Sequence, residues 1–312
     1  MALPILFVHA AARSIDAVSL GDTCVLLYER KSRKLSGSRG EVVLSSILRA
    51  QPSTANEIEA DAADALFVRA AGRAMHVLGA FHQASGPLSL SEIAARANID
   101  RSAAQRLVHT LLKLGHLRRG PDGRGYLPGI RILDTTLDLL RLDPMVQKAT
   151  PVLLELRKTV RERVDLSFYD ETRLVYALRM QSKRETFYAT LVGHSVPTYC
   201  TAGGRAALAV LSEDEARAIV ERTPLHPYTS KTEMNVDEIM ARIARAREDG
   251  YAVVVDEFVQ GEVAIGVALA QKGVPLGALH VAGSLSEWTP DAFVEKIAPS
   301  ATEAVRAVVG SL

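Results

Sequence analysis

An α+β architecture is what this 312-residue chain predicts, and three observations carry that reading. A basic stretch, residues 65–126, reads as three helices closed by a short hairpin. The stretch 145–312 interleaves capped helices with alternating strands joined by short turns, the pattern of helices packed on an antiparallel sheet. The composition, 48% hydrophobic and 23% charged, is that of an ordinary globular chain and excludes wholesale disorder.

The whole-chain charge of +1 favours no particular partner, but it hides an asymmetry. Residues 65–126 carry 9 basic and 3 acidic side chains, whereas residues 127–312 carry 21 basic and 25 acidic. A small basic module on a larger acidic one suggests nucleic-acid binding joined to a second task. Two cysteines, Cys24 and Cys200, make no disulfide framework and fit a reducing cytoplasm. No apolar run reaches the roughly 18 residues of a membrane span. The start, residues 1–12, is apolar but lacks the basic flank of a signal peptide.

Residues 1–64 show no motif. The polar, turn-rich segment 30–40 and Gln51-Pro52-Ser53-Thr54 read as a poorly ordered extension and linker, and a misassigned start codon would explain them. In 65–84, Leu66, Ala70, Ala74, Val77, Leu78 and Phe81 fall at helical spacing, and Gly86-Pro87 breaks the pattern. Ser89-Leu90-Ser91-Glu92 is a capping box for a short second helix, in which Ile93 and Ala97 turn inward. Asn98 suits a left-handed terminus, and Asp100 then caps a third helix over 101–114 that ends at Gly115. Leu117-Arg118-Arg119 and Gly125-Tyr126-Leu127 make the hairpin, turning through Gly120-Pro121-Asp122-Gly123.

Two short helices across a tight turn, followed by a basic hairpin, form a winged helix-turn-helix pattern. The third helix has two faces. Ala104, Leu107, Val108 and Leu111 make an apolar stripe. Arg101, Ser102, Ala103, Gln105, Arg106 and His109 lie off it. Arg101 and Arg106 suit guanine edges and Gln105 suits adenine. Ser102, Arg118, Arg119 and Arg124 suit phosphates, and Ser89 at the start of the second helix joins that surface. A three-helix bundle with an ordinary solvated face is the plainer alternative.

Beyond the hairpin, Ile130, Leu133, Leu137 and Leu140 predict a linker helix, residues 128–144, stopped by Asp143-Pro144. Its wide apolar face suits a partner chain or its own domain equally. Further on, helices are expected over 151–164, 204–211, 213–221 (behind a second capping box at Ser212) and 236–249 (capped by Asn235 and ended by Gly250). Strands are expected over 166–169, 174–180, 251–258, 262–270 and 276–282, and Thr289-Pro290 opens a terminal helix.

Six sequence pieces, taken in order, resemble the IclR family of transcriptional regulators. They are Leu88-Ser89-Leu90-Ser91-Glu92-Ile93-Ala94, Arg101-Ser102-Ala103-Ala104-Gln105-Arg106-Leu107, Leu114-Gly115-His116-Leu117, Val192-Gly193-His194-Ser195-Val196-Pro197, Cys200-Thr201-Ala202-Gly203-Gly204-Arg205-Ala206 and Gly250-Tyr251-Ala252-Val253. The resemblance runs from about Phe67 to the end. It implies a winged-helix DNA-binding domain (65–127), a linker helix and a GAF-like effector domain (145–312). It further implies homodimers or tetramers on palindromic operators in double-stranded DNA, with affinity set by a small organic acid. Tyr199-Cys200-Thr201 is similar to the subgroup that regulates aromatic-acid catabolism.

Carried onto this chain, the family's effector pocket falls on Thr201, Ala202, Gly203, Asp256, Glu257, Ala264, His280 and Ala282. The chain departs from the family where Ala264 replaces a frequent cysteine and His280 and Ala282 replace frequent serines. Those donors suit small oxoacids, so a glyoxylate- or pyruvate-sized ligand is not expected. His280 and Arg179 are the replacement donors for a carboxylate. Against that stand a satisfied core histidine at 280 and a surface arginine on an edge strand at 179.

No catalytic constellation is present: there is no HExxH, paired CxxC, GxSxG or GxxxxGK[ST]. Gly261-Glu262-Val263-Ala264-Ile265-Gly266 lacks the middle glycine of a dinucleotide fingerprint and sits within a strand. Cys200 near His194 lacks an orienting third group, and the eight histidines show no metal-ligand spacing. The expectation is a cytoplasmic DNA-binding regulator without enzyme activity, cofactor or metal. The competing readings are a small-molecule sensor or enzyme without sequence-specific DNA binding, and a regulator whose altered pocket binds nothing.

Overall fold

A computed structural model of the chain describes residues 66–82, 84–181 and 192–312. The expected extension, residues 1–64, therefore lies outside the described residues. Helix α1 (Arg69–Gly79) is shorter than the spacing suggests. Val68 offers it no side-chain cap, and the apolar positions beyond Gly79 continue into a turn. Helix α2 (Leu90–Arg96) starts at the capping box: Ser89 N–H donates to Glu92 Oε2 at 2.8 Å, and Glu92 N–H donates to Ser89 Oγ at 3.3 Å. Asn98 takes the left-handed conformation, with φ 51°. Asp100 caps α3 (Arg101–Lys113) through the Ala103 amide at 2.8 Å.

Strands β1 (Leu117–Arg119) and β2 (Tyr126–Pro128) pair antiparallel as the wing. Leu88 bridges to Tyr126 and ties the hairpin to the segment before α2. Val77, Ile93, Val108, Leu111 and Leu117 form the small core under these elements.

Helix α4 (Arg131–Leu142) follows, and then α5 (Pro144–Val160). Here the sequence reading needs correction. Pro144, not Pro151, opens α5, because Asp143 caps it through the Val146 amide at 3.0 Å. Pro151 is carried inside the helix, and Arg161 ends it at φ 56°. The chain then forms β3 (Arg163–Asp170), β4 (Arg173–Met180), the unexpected short β5 (Ser195–Pro197), α6 (Ala202–Leu208), α7 (Glu213–Arg222), α8 (Val236–Asp249), β6 (Ala252–Val255), β7 (Glu262–Gln271), β8 (Val274–Ser284) and α9 (Pro290–Val309). The six strands are antiparallel throughout, in the order β5-β4-β3-β8-β7-β6.

The sheet has two different faces because side chains alternate along a strand. On one face Val164, Leu166, Ile265, Val267, Leu279 and Val281 pack against α5 and α9 as the main core. On the other face Asp165 lies opposite His280, and Arg163 lies opposite Ala282. Helix α6 crosses that second face closely: a Cβ on Gly266 would stand 2.2 Å from the Ala202 carbonyl carbon, and one on Gly203 would stand 2.1 Å from the His280 ring. Tyr199, Leu208, Ile239 and Ile243 form a separate core beneath α7 and α8.

Candidate nucleic-acid interface and ligand cleft

The buried side of α3 is Ala104, Val108 and Leu111. Arg101, Ser102, Gln105, Arg106 and His109 are exposed on the other side, and Ala103 is half-buried between them. In the wing Arg118, Arg119 and Arg124 are exposed. The Arg119 guanidinium lies 4.4 Å from the centre of the Tyr126 ring, a cation–π contact that positions this exposed charge on the wing. At the N-terminus of α3 the Ala103 amide is already taken. Asp100 accepts from it, and also from the Ser102 hydroxyl at 2.7 Å. Those bonds hold the Asp100 carboxyl below its ordinary value. Ser102, expected as a phosphate contact, thus has its proton committed to the cap in the free protein.

The second site is a cleft on the α6 side of the sheet, with about 380 Å3 of unfilled space including its open mouth. Thr201 and Ala202 at the start of α6, Asp256 and Glu257 after β6, Ala264 on β7, and His280 and Ala282 on β8 line it. Gly203 does not line it, but supports it by leaving room for the His280 ring. Six further residues line it that the sequence reading did not nominate: Arg163, Tyr176, Val254, Phe258, Val259 and Glu262. The signal for Arg163 was present, since Arg163-Val164-Asp165-Leu166-Ser167 alternates polar with apolar on a strand that helices cover on both faces.

Arg179 is neither a surface arginine nor part of the cleft lining. Its side chain is 4% exposed and is bound to Asp165, with Nη2 to Oδ2 at 3.1 Å and Nε to Oδ1 at 3.3 Å. Its guanidinium stacks 3.7 Å from the centre of the Tyr176 ring. Arg163 is the arginine that reaches the cleft. Its Nε bonds Asp165 Oδ2 at 3.0 Å and its Nη1 meets Glu262 Oε2 at 2.9 Å. Burial alone would make Arg163 easier to deprotonate, but Glu262 and Asp165 outweigh it and raise its pKa. Burial likewise pushes the Tyr176 phenol up to about 12, so it stays protonated.

Glu257 is a fastener within the wall. Arg205, 1% exposed, grips it bidentately at 2.7 and 2.6 Å, and Arg242 adds a third bond at 2.7 Å. Arg205 Nε also donates to the Tyr199 carbonyl at 2.7 Å. Asp256 sits at φ 60° and accepts from the Gly261 amide at 2.5 Å. This turn ends β6 at Val255, three residues before the strand's expected end. Cys200 is fully buried, and burial pushes its thiol well above the ordinary range, which removes it as a nucleophile.

His280 is 4% exposed. Its Nε2 lies 2.8 Å from Ser167 Oγ, and Asp165, Arg179 and Arg163 face it along with the Tyr176 ring at 5.3 Å. Burial is the largest influence and lowers its pKa from 6.5 to about 4, so the ring is neutral at pH 7 and is not a cationic anchor. The sign of the linkage follows. Between pH 6.5 and 4 the unfolded chain takes up a proton that the folded chain refuses, so stability falls as the pH falls through that window. The full effect is about 3 kcal/mol. Unfolding titrations of the wild type and His280→Gln across this range should diverge by that amount, and parallel profiles would contradict it.

A helix-turn-helix with an exposed basic face, together with a polar cleft in a sheet domain, defines a transcriptional regulator that binds DNA with one module and a small-molecule effector with the other. Residues 70–121 match the IclR helix-turn-helix domain, and residues 139–309 match the bacterial transcriptional regulator IclR C-terminal domain. The chain belongs to the IclR family. It is 28% identical to the Pca regulon regulatory protein of Pseudomonas putida over 79% of this chain and 85% of that one. It is 32% identical to the HTH-type transcriptional regulator Rv1719 of Mycobacterium tuberculosis over 69% and 82% respectively. An IclR homologue from Microbacterium hydrocarbonoxydans, solved in complex with 4-hydroxybenzoate, shares the fold with a TM-score of 0.64 at 21% identity, over 78% of this chain and 98% of that one. Its relatives are regulators, and the chain is one too, not an enzyme. Among the described residues no helix is long and apolar enough to cross a membrane, and no cluster of His, Cys, Asp or Glu is arranged to hold a metal.

Proposed function

We propose that residues 65–127 read a palindromic operator through α3 and the wing, that residues 128–144 link two such heads, and that residues 145–312 bind a small organic acid, an aromatic one included. The observation that carries the DNA reading is the two-faced α3. Its apolar stripe is fully used in the core, while Arg101, Gln105, Arg106 and His109 are left in solvent beside three wing arginines. Support for a homodimer or tetramer comes from α4 and the residue before it, where Ile130, Leu133 and Leu137 are each more than half exposed, an apolar stripe that a second copy would cover. The effector acts by unequal affinity for the two arrangements of the heads.

Selection of genomic fragments by the purified protein at two salt concentrations tests this reading. A palindrome that persists at the higher salt is expected, and enrichment that fades evenly with salt would leave phosphate binding alone. On the selected site, Arg106→Ala should cost about 1–3 kcal/mol and relax the base preference. Arg124→Ala should instead weaken all sequences alike and flatten the salt dependence. Unchanged specificity in the first variant, or a sequence-selective loss in the second, would reverse those assignments.

A further inference from the structure

Asp165 and Glu262 both bind Arg163, but they hold it on unequal terms. The Asp165 side chain is 1% exposed and has both oxygens taken. Oδ2 accepts from Arg163 Nε at 3.0 Å and from Arg179 Nη2 at 3.1 Å, and Oδ1 accepts from Arg179 Nε at 3.3 Å. It ties two arginines together and is fixed by them. Glu262 is held by one contact, Arg163 Nη1 to Oε2 at 2.9 Å, and its side chain is 19% exposed beside the exposed Gly261. Among the described residues its Oε1 has no partner. The register shows how far this pair reaches. Arg163 on β3 lies opposite Ala282 on β8, and Ala282 lies opposite Ala264 on β7, two residues from Glu262. The guanidinium therefore crosses β8, over about two strand spacings, with the small Ala282 beneath it.

The charges of this group balance, Arg163 and Arg179 against Asp165 and Glu262. A ligand carboxylate brought to Arg163 would set a third negative charge against two positive ones, in a wall that Asp256 also lines. A buried charge without a partner is costly, so one carboxylate must leave, and Glu262 is the one that can. We infer that Glu262 is a built-in stand-in for the effector's carboxylate: it holds Arg163 in the free protein, and a bound acid displaces it toward solvent by a turn of its side chain. This rests on the organic-acid reading above and goes past it, by naming the residue that sets how tightly an acid is held. Among the described residues Arg163 Nη2 makes no bond, so an acid that spans Nη1 and Nη2 gains a two-point grip that Glu262 lacks. Glu262 thus positions Arg163 and competes for it. It weakens the binding of acids and leaves uncharged ligands, which do not draw on the guanidinium's charge, nearly unaffected.

The test is calorimetric titration of the full chain, as wild type and as Glu262→Gln, with benzoate, phenylacetate and the uncharged benzamide. The variant keeps Arg163 on Asp165 and removes only the competing charge. An acid that binds the wild type should bind the variant about tenfold more tightly, the gain from no longer breaking one charge-assisted hydrogen bond. Benzamide should bind the two proteins alike. Equal affinity of the acids for both proteins overturns the inference while leaving an organic-acid effector in place. A shift of the same size for the acids and for benzamide, or weaker binding of the acids by the variant, also overturns it, because a merely structural role for Glu262 would act that way. No binding of either acid by any of the proteins removes the organic-acid reading itself, and this inference with it. Glu262→Ala removes the charge without placing an amide on Arg163 and should reproduce the gain, so the result does not depend on one variant folding.

Discussion

Glu257→Ala should destabilise the effector domain by about 3–5 kcal/mol, the cost of stranding a buried charge. Arg205 is 1% exposed and would keep only its bond to the Tyr199 carbonyl. Arg242 would lose one of its two carboxylate partners and retain Glu233. For a domain of this size the melting temperature should fall by roughly 10 °C. The double variant Arg205→Met/Glu257→Leu should recover much of the loss, because removing both charges also removes their desolvation cost. Thermal unfolding of the two variants decides the matter. A loss below about 1 kcal/mol in the single variant would show that water reaches Arg205 and that the pair is not a fastener.

Gly266→Ala should be nearly as damaging, for a steric reason. The added methyl would stand 2.2 Å from two backbone atoms at the start of α6. Backbone cannot rotate away as a side-chain tip does, so α6 must lift from the sheet. Overpacking of this kind costs about 3 kcal/mol. Ligand affinity should drop with stability, since Thr201 and Ala202 are part of the cleft wall. A stable Gly266→Ala protein with unchanged ligand binding would mean that α6 has slack against β7. Gly203→Ala places its methyl on the His280 ring instead, and should impair binding ahead of stability.

Much of this was legible in the sequence wherever the signal was local. The Ser89–Glu92 and Ser212–Glu215 boxes, Asn98, Asp100, Asn235, Gly250 and Thr289-Pro290 each fix one end of an element through bonds spanning only a few residues. Pro151 misled because proline suits a helix's first turn and is costly in its interior, yet the packed α5 carries it inside. The three-residue β5 was missed because only its pairing with Arg173, Leu174 and Val175 makes it a strand. In the cleft, the family resemblance pointed to positions on α6, β7 and β8. Which charges face inward depends on pairings more than a hundred residues apart, such as that of Ser167 with His280, and these become visible only once the sheet is built. Arg179 and Arg163 are both strand arginines bound to Asp165, and nothing local tells which of them reaches the cleft.

The alternation along β3 separates two jobs that proteins often entangle. Val164 and Leu166 belong to the core shared with α5 and α9, while Arg163, Asp165 and Ser167 face the cleft side. One short strand thus holds the helices with its even positions and turns charges toward the cleft with its odd ones. Because Asp165 pairs with both Arg163 and Arg179 inside the domain, those charges can be exchanged only as a set. Such a strand ties the residues that face the cleft to one another while 164 and 166 go on holding the helices.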